Sequence, residues 1–211
     1  MHCYIIGLHA VEAWLDRSPR GALLFIAKEN KRNTLLAESA RSSGVQVEKT
    51  TFGEISRLAG TDQHKGLALR IPSGRQMDEK DLKNYCSNIS DNGLLVLLEG
   101  ITDIGNFGAI LRSAEQFSAD AVIVPKRRGA ALTPEVSKTS AGADALVPLM
   151  TVVNISRSAE MIKEHGFWVY GADMGGRPLS SVNLTGKIAL VIGSEGKGLG
   201  TNVRNHCDEL I

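Results

Sequence analysis

No stretch of the 211 residues carries the roughly 20 consecutive apolar side chains of a bilayer-crossing helix, so a helical membrane protein is not expected. The opening residues, MHCYIIGLHAVEAWLD, lack the basic lead and long apolar run of a secretory signal. Cysteine is scarce. Cys3, Cys86 and Cys207 are odd in number and have no metal-ligand spacing, which argues against a disulfide or zinc framework. Reduced thiols in a cytoplasm are the expectation, with no metal. Two nucleotide signatures are missing as well. Gly100, Gly105 and Gly108 have the wrong spacing for G-x-G-x-x-G, and in GSEGKGLG the lysine, Lys197, is followed by Gly198 rather than Ser or Thr. Neither a nicotinamide site nor a nucleoside-triphosphate site is supported.

What remains is an ordinary globular composition, 43% hydrophobic and 22% charged, in a chain long enough to bury a sizeable core. The net charge of +1 hides an asymmetry. Residues 1–75 hold 11 Lys/Arg against 7 Asp/Glu, whereas residues 76–211 hold 13 against 16. A basic first part joined to a mildly acidic second part suggests that the first contacts a polyanion.

The rhythm of the chain divides it. Residues 1–72 alternate short strands (CYIIG, ALLFIA, VQVEKT, GLALRIP) with helical stretches (VEAWLD, NTLLAESARSSG, FGEISRLAG), as a small α/β domain would. Residues 73–92 read as a polar linker with a short helix around Asp78 to Cys86. From 93 to 211 come continuous apolar runs, LLVLLEG, DAVIVP, ALVPLM, FWVYGAD and IALVIGSE. Runs of that kind, separated by helices, predict an α/β domain with parallel strands covered on both faces. Ligands of open parallel sheets bind beyond the carboxyl ends of the strands, which singles out Glu99-Gly100, Gly171-Ala172-Asp173 and Gly193-Ser194-Glu195.

Two segments carry the chemistry. GNFGAILRSAEQF, Gly105 to Phe117, predicts a helix with Asn106 as N-cap and Phe107, Ile110, Leu111, Ala114 and Phe117 toward the core. Arg112 falls on the opposite side beside Gly105 and Gly108, where something should come close to the backbone. A plain amphipathic helix with a solvated arginine fits the spacing equally well. The second segment, IGSEGKGLG, has four glycines and an acid after a buried strand, a loop that can bring backbone amides to a flat ligand or simply turn the chain.

Taken together, Glu99-Gly100-Ile101-Thr102-Asp103 through Asn106-Phe107-Gly108-Ala109-Ile110-Leu111-Arg112-Ser113-Ala114, and Leu190-Val191-Ile192-Gly193-Ser194-Glu195-Gly196-Lys197-Gly198-Leu199, resemble two motifs of the SpoU (TrmH) branch of the SPOUT methyltransferases. Gly7-Leu8-His9-Ala10-Val11 and Gln63-His64-Lys65-Gly66-Leu67 are similar to the amino-terminal substrate-binding domain of many members, a ribosomal-protein-like fold. The resemblance implies a trefoil-knot parallel-sheet domain at 93–211 and transfer of a methyl group from S-adenosylmethionine to a ribose 2′-hydroxyl. The subgroup it is most similar to acts on a guanosine of large-subunit ribosomal RNA. It also implies a homodimer through the second domain. Alternatives within reach are a transfer-RNA methyltransferase of the same fold and a non-catalytic RNA-binding or assembly protein. There are two departures. Ile104-Gly105 stands where relatives often have Pro and then a polar residue. The third motif, a Ser-Leu-Asn-rich helix start that completes the knot, is expected after Ile211, so the knot-completing tail is absent from these residues and the cofactor pocket should be incomplete.

The resemblance assigns catalytic roles to Arg112, Asn106 and Glu195, and cofactor contacts to Gly193, Ser194, Gly171, Ala172, Gly196 and Gly198. A guanidinium is a poor free base. Arg112 is therefore expected to stabilise charge, with the proton going to an RNA phosphate or to Glu195. Asn106 could instead only cap its helix, and Glu195 only bond loop amides. RNA contacts are expected at His64, Lys65 and Lys126-Arg127-Arg128, although a KRR run can also be a solvated turn.

Overall fold

The computed structural model describes residues 2–16, 21–28, 30–72, 77–127 and 133–211. Two compact units emerge from the contacts: residues 1–75 with 107–112 and 131–146, and residues 76–106 with 113–130 and 147–211.

In the first unit four strands, β1 (His2–Ile6), β2 (Leu23–Ile26), β3 (Gln46–Lys49) and β4 (Leu67–Pro72), lie in the order β1-β4-β2-β3. β4 runs antiparallel to both neighbours, and β2 and β3 are parallel. Alternation sorts their side chains onto two faces. Ile5, Leu24 and Leu69 pack with Val11 and Leu15 of α1 (Leu8–Asp16) and Leu36 and Ala40 of α2 (Lys31–Ser42). Ile6, Phe25 and Ala68 pack instead with Ile55 and Ala59 of α3 (Phe52–Ala59). Asn30 caps α2 by accepting from the Asn33 amide, and Thr51 caps α3 through the Glu54 amide.

Segment 131–146 joins this unit around a buried acid. Asp144 accepts from the Ser137 hydroxyl at 2.5 Å, the Ser140 hydroxyl at 2.8 Å and the Trp14 indole at 3.4 Å. Removing that carboxylate leaves the buried Ser137 hydroxyl short of an acceptor, while the Ser140 hydroxyl falls back on the Ser137 carbonyl at 3.1 Å. Asp144→Ala is expected to lower stability by about 2–4 kcal/mol, the usual consequence of breaking a buried charged hydrogen-bond cluster. The urea midpoint reads it, and an unchanged midpoint would mean the cluster contributes no net stability.

The second unit is a sheet in the order β10-β8-β9-β5-β6-β7 in which every pairing is parallel. Its strands are β5 (Gly93–Leu98), β6 (Ala121–Pro125), β7 (Leu149–Val152), β8 (Trp168–Ala172), β9 (Lys187–Ile192) and β10 (Glu209–Leu210). Four consecutive β5 residues, Leu95 to Leu98, are buried, as both-face coverage requires. The helices are α4 (Glu79–Asn88), both ends of α5 (Ile104–Gln116), α7 (Ile155–Glu164) and α8 (Thr201–Arg204), with residues 107–112 of α5 and α6 (Pro134–Thr139) grouped in the first unit.

Three sequence expectations change here. Residues 79–88 do more than connect. Asp78 and Asp81 form a capping box, and Leu82 and Cys86 are fully buried in the same core as Leu95, Ile123 and Met150. Met77 already bridges Met150 in the sheet, so the chain enters this unit well before 93. Within ALVPLM only the last two residues are strand, because Pro148 interrupts the run and Leu146 is 46% exposed.

The third change concerns α5. Its N-cap is Asp103, whose carboxylate accepts from the Asn106 amide at 2.7 Å. Asn106 therefore sits in the first helical turn with its side chain released for other work. Phe107, Leu111 and Ala114 are buried as the periodicity predicts, but Phe117 ends the helix 75% exposed. The close approach at Gly108 is made by α6. A Cβ added there would lie 2.4 Å from Thr139 Oγ1 and 2.8 Å from its backbone carbon.

Candidate functional site

In the second unit the sheet brings the three marked turns to one rim. β9 lies between β5 and β8, with Ile192 in register with Leu98 on one side and Ala172 on the other. The strands β5, β6 and β7 run outward on one side of β9, and β8 and β10 on the other. That reversal is where a parallel sheet opens a ligand crevice.

The loop after β9 is tightly closed. Ser194 and Gly198 exchange both backbone hydrogen bonds, at 3.1 and 2.9 Å. A Cβ on Gly193 would meet the Gly198 carbonyl carbon at 2.2 Å, so only glycine allows the loop to fold back. The amides of Ser194 and Gly198 are spent on this closure. Gly196 and Gly198, both left-handed at φ +79° and +62°, are otherwise uncrowded: nothing comes within 4 Å of a Cβ at Gly196, and only Asp173 Oδ2, at 3.9 Å, does at Gly198. Asp173 Oδ1 accepts from the Gly175 amide and its carboxylate pairs with Arg204, which together hold its pKa below the ordinary carboxylate value.

Motif one reaches this loop through three contacts. Asn106 Nδ2 donates to Glu195 Oε2 at 2.9 Å across 89 residues of sequence. Glu99 Oε2 accepts from the Gly200 amide at 2.8 Å, at the start of α8. Gly100, at φ +73°, passes close under Ser194, whose Cβ would be 3.3 Å from an added methyl. Glu99 was legible only as a strand-end acid, since nothing in the sequence shows where its carboxylate bonds. Asn106 and Glu195 are thus joined. Arg112 lies six residues on along α5, about 9 Å of helical rise. Its guanidinium donates to the Thr139 carbonyl.

Gly171 is buried in the sheet, its carbonyl accepts from Ile211, and an added Cβ would collide with Leu199, Cys207 and Leu210 side chains. Its smallness serves strand packing, and Ala172 beside it is half-buried. His64 moves from the expected RNA contacts to the interior. It is fully buried, with Nδ1 facing the Gly66 amide at 3.0 Å, Nε2 at 3.0 Å from Ser56 Oγ, and its ring against Phe52. Burial lowers its pKa. Lys65, Lys126 and Arg127 are exposed, and Arg128 lies outside the described residues.

No group of acids, histidines and cysteines suited to a metal occurs among the described residues, and no described helix is long and apolar enough to cross a membrane. Burial pushes the thiols of Cys86 and Cys207 up to about 11. At pH 8 the folded protein should leave both unalkylated by iodoacetamide, with labelling appearing only in denaturant, read by peptide mass spectrometry. Rapid native labelling at either position would mean the core there opens.

The SpoU rRNA methylase family matches residues 93–211, and a module described as RNA 2′-O ribose methyltransferase substrate binding matches residues 4–77. The chain is 39% identical to the 23S rRNA (guanosine-2′-O-)-methyltransferase RlmB of Escherichia coli K12, over 98% of this chain and 86% of that protein. It is 37% identical, with the same coverage, to the protein of that name from Salmonella typhi. In fold it is similar to the SpoU methyltransferase AviRb of Streptomyces viridochromogenes, solved with AdoMet, at a TM-score of 0.79 and 18% identity, over 99% and 79% of the two chains. A TrmH-family methyltransferase structure from Porphyromonas gingivalis gives 0.75 at 23% identity, over 99% and 78%.

Proposed function

The chain belongs to the SpoU rRNA methylase family, and we propose that Arg112, Asn106 and Glu195 run its reaction, Asn106 and Glu195 standing at the rim formed by β5, β8 and β9. It is an RNA ribose 2′-O-methyltransferase, and the methyl donor is S-adenosylmethionine. The acceptor is the ribose of a guanosine in large-subunit ribosomal RNA.

The observation that supports the site is the hydrogen bond from Asn106 to Glu195, which ties two distant motifs together at one strand-end rim. The surroundings fit the donor. Open backbone at Gly196 and Gly198 gives a flat ligand somewhere to lie, and the carboxylates of Glu195 and Asp173 suit a sulfonium cation. When bound, the cofactor supplies an electrophilic methyl group, and the remaining work is positioning and charge handling. Asn106 orients the Glu195 carboxylate, leaving Oε1 to accept the proton from the ribose hydroxyl. Arg112 stabilises the oxyanion that develops there, in a role fixed charge performs well. Gly193 and Ser194 hold the loop in shape. Lys65, Lys126 and Arg127 add phosphate contacts that give affinity without sequence information. Assembly as a homodimer and a cytoplasmic location belong to the same proposal, carried by the family resemblance.

Incubation with methyl-labelled S-adenosylmethionine and undermethylated ribosomal RNA tests this directly. Label should appear in 2′-O-methylguanosine of 23S RNA after nuclease digestion. Label confined to transfer RNA, or on a base, would overturn the assignment.

A further inference from the structure

The first unit contains a feature that methyl transfer leaves unexplained: an open cavity of about 360 Å³. Two stretches far apart in the chain meet on it. Gly7 to Ala10, the opening turn of α1, form one side, and Gln63, His64, Lys65 and Leu67 form another. The opening turn of α2, at Asn30, Arg32 and Asn33, completes the rim together with Lys138 and Ala141.

The lining is one-sided in charge. It includes Arg32, Lys65 and Lys138 and, among the described residues, no acid. Among the described residues, Arg32 and Lys65 are exposed and make no hydrogen bond or ion pair, while Lys138 Nζ donates to Gln63 Oε1 at 2.5 Å. His9 stands apart from this set because its ring faces Glu12 at 3.2 Å. Both helices present their opening turns to the cavity, adding the positive ends of two helix dipoles to three cations. Lys65 is itself held at φ +52°, a conformation that lysine seldom adopts, which fixes its Cα at the mouth. The buried His64, bonded to Ser56 and to the Gly66 amide, buttresses that turn from below.

From the convergence of three cations on a concave surface with no acid among its described lining residues we infer that this cavity is a phosphate subsite for single-stranded RNA, holding one backbone phosphate beside an unpaired nucleoside. The assignment rests on RNA being the substrate. The volume lies at the small end of the range of roughly 300–1,000 Å³ typical of small-ligand sites, which suits one nucleotide.

Binding of a labelled single-stranded ribosomal-RNA fragment to the full chain, titrated over salt, tests it. The double variant Arg32→Gln/Lys65→Asn removes two cations, and asparagine accepts the left-handed backbone at 65. It should bind at least about tenfold more weakly at low salt. Its log–log salt slope should also fall by about 0.7, the value for one phosphate contact on a single strand. Lys65→Arg should retain the wild-type slope, and circular dichroism should show all variants folded. An unchanged slope in the double variant, with wild-type chain still methylating ribosomal RNA, would overturn the subsite and leave the enzymatic function standing. A wild-type chain that neither methylates nor binds RNA would overturn both. Guanosine monophosphate displacing the RNA at equal concentration would reassign the cavity to a free nucleotide and overturn the RNA source.

Discussion

Arg112→Ala is expected to lower methyl transfer by about a hundredfold to a thousandfold while leaving S-adenosylmethionine affinity within about twofold. The first figure is the usual consequence of losing one preorganised donor aimed at a developing oxyanion. The second follows from what Arg112 touches. Its guanidinium donates to the Thr139 carbonyl, a partner outside the Gly193–Gly200 loop. That same bond supplies the competing explanation, in which the arginine only ties α5 to α6. The two separate cleanly. A tie would show as lost stability, with kcat and melting temperature falling together, whereas a charge stabiliser shows as a fall in kcat at an unchanged melting temperature. Arg112→Lys sharpens the contrast, since it keeps the charge and gives up the planar fork. Partial recovery of kcat by lysine supports the electrostatic role. Equal loss of turnover and cofactor binding in Arg112→Ala would reject it.

Much of the second unit was readable because the physics that builds it is local. A strand covered on both faces must be apolar throughout, so β5, β6, β8 and β9 appear in the sequence as uninterrupted runs. The rim follows from those runs, since parallel strands deliver all their carboxyl ends to one side. This is why the turns after β5 and β9 could be expected at one rim from strand ends, whereas the nearness of Asn106 to Glu195, 89 positions apart, was implied only by the family resemblance. What was not readable depends on tertiary partners. Asp103 and Asn106 are both competent caps, and the chain's exit from β5 decides between them. Gly108 announces a close approach, but the identity of its partner, Thr139, lies in a segment with no strong periodicity. A histidine within a polar stretch reads as surface, yet Ser56, Gly66 and Phe52 satisfy His64 inside. The α4 helix looked like a connector because only two of its ten residues are buried, Leu82 and Cys86. Those two reach the centre of the core.

Gly193→Ala tests the loop itself, by contrast with its neighbour at 196. At 193 an added methyl would stand 2.2 Å from Gly198 carbonyl carbon, 2.3 Å from its oxygen and 2.5 Å from the Leu199 nitrogen. All three are backbone atoms and cannot rotate away. The reciprocal Ser194–Gly198 hydrogen bonds must then stretch or break, and the loop must leave the shape on which Glu195 meets Asn106. A backbone rearrangement of this kind costs roughly 3 kcal/mol, which corresponds to about a hundredfold in affinity if the folded loop is what binds the cofactor. At Gly196 the situation is reversed. No atom lies within 4 Å of the added methyl, and the only penalty is the left-handed φ of +79°, roughly 1–2 kcal/mol for alanine. Calorimetric titration of S-adenosylmethionine should therefore show heat lost in Gly193→Ala and a weakened but measurable isotherm in Gly196→Ala, with single-stranded RNA binding preserved in both. If Gly193→Ala bound cofactor as the parent does, the donor would have to be held by something other than the loop after β9.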